Sequence, residues 1–165
     1  MPNVILIGMP ACGKSITGVV LAKTMRKSFI DTDLLIQEKE ERPLQEIINE
    51  SGNAYFRQVE EDVLCSVETT NSVISTGGSA IYYDSAMKHL KEQGTVVYLN
   101  VSLETIESRL NNIKTRGVTM EKGATIASLY AERVPLYEKY ADVIINADGF
   151  EVEDTVEAII NAVNK

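Results

Sequence analysis

A parallel α/β sheet with helices on both faces is the fold class predicted for this 165-residue chain, on three observations. Short apolar runs recur at Val4–Ile7, Phe29-Ile30, Val73-Ile74, Val96–Leu99 and Val143–Ile145. The stretches between them carry helical period, and strands that alternate with helices form parallel sheets buried on both faces. The first apolar run leads straight into a turn, Gly8-Met9-Pro10-Ala11-Cys12-Gly13-Lys14-Ser15, followed by a helix that starts near Lys14. Right-handed crossovers then bring every strand's carboxyl end to one edge, where ligands of open α/β sheets bind.

Taken in order, the helical segments are justified by their apolar spacing. Ile16, Val19 and Val20 give the first helix an apolar face, and Leu34–Glu40 follows the second strand. From Ala54 to Glu68 one face carries Phe56, Val59, Val63, Leu64 and Val67, and the last segment repeats the pattern with Val152, Val156, Ile159, Ile160 and Val163. His89, the only histidine, falls in a helical stretch and reads as a solvated surface residue. Pro135 is expected to kink or end its helix and so to set the angle of Arg133. Residues 111–123 carry Lys114, Arg116, Lys122 and two glycines with little apolar period, the pattern of a mobile loop that could serve as a lid.

Length suits one domain over residues 1–165, without internal repeat or linker. No apolar run approaches membrane-spanning length, and the N-terminal one lacks the basic flank of a signal peptide, so a cytoplasmic chain with Cys12 and Cys65 reduced is expected. A net charge of −8 argues against a nucleic-acid surface. Any anionic ligand must be held by individually placed cations.

The octapeptide Gly8–Ser15 matches G-x-x-x-x-G-K-[ST] in the context that the motif requires, after a strand and before a helix. Backbone N–H groups and a helix N-terminus converge there on a polyphosphate, so ATP or GTP is the expected ligand and a three-layer P-loop NTPase the expected fold. Gly8 and Gly13 permit the turn, Lys14 reaches the terminal phosphates, and the Ser15 hydroxyl can ligate Mg2+. Ala11, Cys12 and Ile16 complete the cradle, with Cys12 as a small filler.

At the end of the second strand, Asp31 and Asp33 can take two neighbouring tasks, one carboxylate serving the metal and the other accepting a proton from a hydroxyl nucleophile. The alternative for Asp33 is a helix N-cap. Arg57 has a plain reading as a surface ion pair with Glu60 or Glu61, and Gly77-Gly78 as a turn, although two glycines after a buried strand also admit a small molecule to the backbone.

In combination these landmarks resemble the shikimate kinase family over essentially the whole chain. The matching residues are the P-loop, Asp31-Thr32-Asp33, Phe56-Arg57 with Glu60, Ser75-Thr76-Gly77-Gly78, Arg116, and Arg133-Val134-Pro135-Leu136-Tyr137 with Ala141-Asp142. The resemblance implies a nucleoside-monophosphate-kinase-like fold with a five-stranded parallel sheet and ATP-dependent phosphorylation of a ring hydroxyl of shikimate. It also implies substrate-binding helices over about 33–62, and a monomer is expected. Carried over by position, Ser15 and Asp31 would serve Mg2+, Asp33 would hold the accepting hydroxyl and act as base, and Lys14 would be catalytic. Arg57 and Arg133 would bind the substrate carboxylate, Gly77 and Gly78 would make backbone contacts, Arg116 would close over the transferring group, and Arg109 would stack on adenine. Two guanidiniums suit a carboxylate by forked hydrogen bonds.

The departures from the family's pattern are Ser79 in place of a third glycine, Arg116-Gly117-Val118-Thr119 in the lid, Ile48, Asn53 and Ala11. Most bear on the acceptor side rather than on ATP. The alternative readings are a related kinase with another hydroxyl acceptor, a degenerate nucleotide-binding paralogue, and a nucleotide-dependent switch.

Overall fold

The computed structural model describes residues 2–111 and 125–164. Five strands form one parallel sheet in the order β2-β3-β1-β4-β5: β1 Asn3–Ile7, β2 Ser28–Asp31, β3 Ser72–Ser75, β4 Gly94–Asn100 and β5 Val143–Asn146. β1 lies between β3 and β4, with Ile5 opposite Ile74 on one side and Val96 on the other. Every residue of β1 and β3 is buried, as continuous apolar runs in a doubly covered parallel sheet require.

Seven helices are described: α1 Lys14–Met25, α2 Thr32–Glu40, α3 Leu44–Ser66, α4 Asp84–Glu92, α5 Leu103–Asn111, α6 Ile126–Tyr140 and α7 Val152–Val163. A 3-10 turn spans Ala80–Tyr82. The main apolar core runs through the sheet and the helices against it, while Ile36, Ile47, Phe56, Val59 and Val63 form a second, smaller core joining α2 to α3. α3 begins ten residues before the expected start at Ala54 and is broken at Gly52 (φ 87°, ψ 167°), so the expected helix is its second half.

Three expectations are corrected. The apolar face of α1 is not the buried one: Ile16 and Val19 are 65% and 51% exposed, and the helix packs instead through Thr17, Gly18, Leu21 and Ala22. The small face wins because α1 lies close to β2, where a Cβ on Gly18 would come within 2.7 Å of the Phe29 ring. Pro135 does not end its helix; α6 runs on to Tyr140, since burial of Leu129, Arg133, Tyr137 and Tyr140 along one face outweighs one lost hydrogen bond. His89 is half-buried, its Nε2 2.7 Å from the Val67 carbonyl oxygen, and ties α4 to the end of α3.

Candidate active site

The Gly8–Ser15 turn joins β1 to α1 at the carboxyl edge of the sheet. Gly8 (φ 153°) is required by crowding as well as by conformation, because a Cβ there would lie 2.8 Å from Cys12 Sγ and 2.9 Å from the Leu99 carbonyl oxygen. Lys14, buried at the head of α1, donates from Nζ to the Gly8 and Met9 carbonyl oxygens at 2.6 and 2.9 Å. Cys12 is buried beneath it, in the filler position expected.

β2 delivers Asp31 to the same edge. Asp31, not Asp33, caps α2: its Oδ1 accepts from the Asp33 and Leu34 N–H groups. Its Oδ2 accepts from the Ser15 hydroxyl at 3.2 Å. With Asp31 holding the cap, the Asp33 side chain is turned toward the turn after β3.

That turn, Gly77-Gly78, organises the acceptor side. A Cβ on Gly77 would stand 2.7 Å from Asp33 Oδ1 and 3.0 Å from Glu60 Oε2, and one on Gly78 would stand 2.9 Å from Arg133 Nη1. Three elements, α2, α3 and α6, thus bring charged groups against two adjacent residues that have no side chain to keep them out. Lys14, Ser15, Asp31, Asp33, Gly77 and Gly78 line one cavity of about 360 Å³. Arg57, exposed on α3, acts electrostatically on Glu60.

Glu60 is only 2% exposed, so it is a buried carboxylate rather than a surface one. Its Oε1 accepts from the Ser79 hydroxyl and, at 2.9 Å, from the Tyr83 hydroxyl. Burial lifts its pKa above the ordinary carboxylate value, against the opposing pull of those two hydroxyls and of Arg133 and Arg57. Spacing could have found it, since Phe56, Val59, Glu60 and Val63 share one helical face.

Arg133 is buried to 2% exposure beneath Gly78. The Tyr137 hydroxyl, hydrogen-bonded to Arg133, donates to the Gly78 carbonyl oxygen at 2.6 Å, and its ring stacks on Tyr98 at 5.0 Å. Burial raises the phenol's pKa, so Tyr137 stays a neutral donor. Tyr137 therefore both packs in the core and fixes the turn.

On the other side of the Gly8–Ser15 turn a second cavity, about 390 Å³, is bounded by Ala11, Cys12, Gly13, Ile16, Arg109 and Phe150 among others. Arg109 donates to the Ala11 carbonyl oxygen at 2.9 Å. Exposed Ile16 therefore borders both cavities rather than the core. Arg116 and the candidate lid lie outside the described residues.

A phosphate-type loop between two cavities, one bordered by Arg109 and the other lined by Asp31, Asp33 and a glycine pair with the Arg133 guanidinium behind it, defines a P-loop kinase of small molecules. The profile of the shikimate kinase family matches residues 10–164. A shikimate kinase of Sulfurihydrogenibium is 34% identical over 100% of this chain and 99% of its own length. One from Clostridium botulinum is 36% identical over 100% and 98%. Among solved structures, Acinetobacter baumannii shikimate kinase in complex with shikimate superposes with a TM-score of 0.90 at 28% identity, covering 99% of this chain and 93% of that one. The Aquifex aeolicus enzyme gives 0.81 at 30% identity, covering 98% and 96%. This chain belongs to the shikimate kinase family.

Proposed function

We propose that the chain transfers the terminal phosphoryl group of ATP to a ring hydroxyl of shikimate. The observation that carries the reading is the convergence of Asp33, Glu60 and Arg133 on Gly77-Gly78, two residues that share with Asp33, Lys14 and Ser15 the wall of one cavity. In this assignment Arg133 and Arg57 hold the acceptor's carboxylate, which sets the ring so that one hydroxyl faces Asp33. Asp33 takes the proton of that hydroxyl while its oxygen bonds to the terminal phosphorus, and the bond to the bridging oxygen breaks to release ADP. Lys14 and the loop N–H groups offset the charge spread over the phosphoryl oxygens. Arg109 and Phe150 flank the adenine.

Mg2+ fits Ser15 and Asp31: a hydroxyl and a carboxylate oxygen 3.2 Å apart are hard donors suited to a cation that keeps its remaining sites for phosphates and water. When bound, the ion would shield the phosphate charge. The whole chain is assigned as one kinase domain acting as a monomer in the cytoplasm, with α2 and α3 as the acceptor helices and Arg116 in a lid.

The test is Asp33→Asn. Turnover with shikimate should fall about 10²- to 10⁴-fold while ATP affinity stays within twofold. An unchanged kcat sinks the assignment of Asp33, and background turnover with shikimate alongside stimulation by another hydroxy acid sinks that of the acceptor.

A further inference from the structure

We propose that Tyr82 is a positioning residue for the acceptor clamp: it grips the back of the Arg133 guanidinium and keeps the Nη1 edge against Gly78, a residue of the cavity wall. The proposal rests on the shikimate reading above. Arg133 Nε donates to the Tyr82 hydroxyl at 3.3 Å, and Arg133 Cζ stands 5.3 Å from the Tyr82 ring centroid, within cation–π range. The Tyr82 hydroxyl spends its own proton on Glu132 Oε2 at 2.8 Å. Its lone pair is thereby the group that meets Nε, and the arginine has no competing donor to face.

The arrangement is matched on the other side of the guanidinium. Tyr137 is hydrogen-bonded to Arg133 and likewise gives its proton away, to the Gly78 carbonyl oxygen. Two phenols from different elements, the 3-10 turn and α6, therefore brace one arginine whose Nη1 abuts Gly78. A long side chain of many rotamers is held in the orientation from which a forked bond to a carboxylate is made, so less freedom is lost when the acceptor binds.

The two braces differ in burial. Tyr137 is fully buried in the core, whereas Tyr82 is 41% exposed with its ring against the arginine. Its large apolar ring stays at the surface because it covers Arg133, and it can be removed without opening the core.

Tyr82→Phe removes the hydroxyl and keeps the ring; Tyr82→Leu removes both. Steady-state kinetics should show the KM for shikimate raised about 3- to 10-fold in the first and about 10- to 50-fold in the second, with kcat and the KM for ATP within twofold of wild type. In an Arg133→Lys background, Tyr82→Leu should add less than a further twofold, because the group it positions is gone. A wild-type KM for shikimate in Tyr82→Leu overturns the proposal, as does an equal rise in the KM for ATP or full additivity with Arg133→Lys. Loss limited to this assignment is recognised by a wild-type enzyme that turns shikimate over; a wild-type enzyme inert toward shikimate overturns the acceptor reading and this assignment together.

Discussion

Gly77→Ala probes the geometry of the acceptor site with one methyl group. The added Cβ would stand 2.7 Å from Asp33 Oδ1, about 0.7 Å inside the 3.4 Å at which ordinary contact begins, and 3.0 Å from Glu60 Oε2. One carboxylate must give way. Glu60 is buried and tied by two hydroxyls, whereas Asp33 is half-exposed, so the displacement falls on Asp33. The Asp33 N–H is held by Asp31 Oδ1, so the displacement is taken up in the side chain rather than the backbone. Misplacing a reacting group by about 1 Å costs roughly 10²-fold, so kcat with shikimate should fall about 30- to 100-fold. Overpacking should cost about 1–3 kcal/mol of stability. The assay is ADP release followed by a coupled reaction at saturating ATP and shikimate, beside calorimetric titration of ATP, whose affinity should hold within twofold. A folded Gly77→Ala protein with kcat within threefold of wild type would refute the argument that Asp33 must lie against this glycine.

Glu60→Gln should alter how stability depends on pH. Burial raises the carboxyl's folded-state pKa above its ordinary value of 4.5, so the folded state holds the proton more tightly. The stability this contributes is full below the unfolded value and is lost as pH rises through the folded one. Urea unfolding from pH 4.5 to 7 should therefore show wild type losing stability relative to Glu60→Gln, and parallel curves would contradict it. Ile47→Ala opens the smaller core, in which Ile47 is fully buried; about 2–5 kcal/mol should be lost in urea titration, with the KM for shikimate rising more than that for ATP. Arg109→Ala should raise the KM for ATP about 3- to 30-fold and leave that for shikimate unchanged in two-substrate kinetics.

All five strands could be read from apolar runs, the inner strands β1, β3 and β4 most plainly, because a strand buried on both faces has no polar face to confuse its pattern. The phosphate turn was equally readable, since its residues are consecutive. What escaped was decided across the fold. The buried side of α1 was chosen by the proximity of Phe29, which no periodicity within α1 reports. Glu60 carried a signal in its place between Phe56 and Val63, yet its partners Ser79 and Tyr83 lie far along the chain. Asp31 and Asp33 looked interchangeable until backbone geometry made Asp31 the cap. Tyr82 and Tyr137 offered only aromatic bulk, and their bonds to Arg133 depend on how α6 settles on the sheet.

Among the described residues, the small cluster of Ile36, Ile47, Phe56, Val59 and Val63 is separate from the larger one and shares with it the partly buried neighbour Leu35. An acceptor arm with its own keel can be rewritten over generations while the triphosphate half stays untouched. A graft of the stretch from Thr32 to Ser66 between sibling enzymes should accordingly carry the taste for one acceptor with it and leave the appetite for ATP behind.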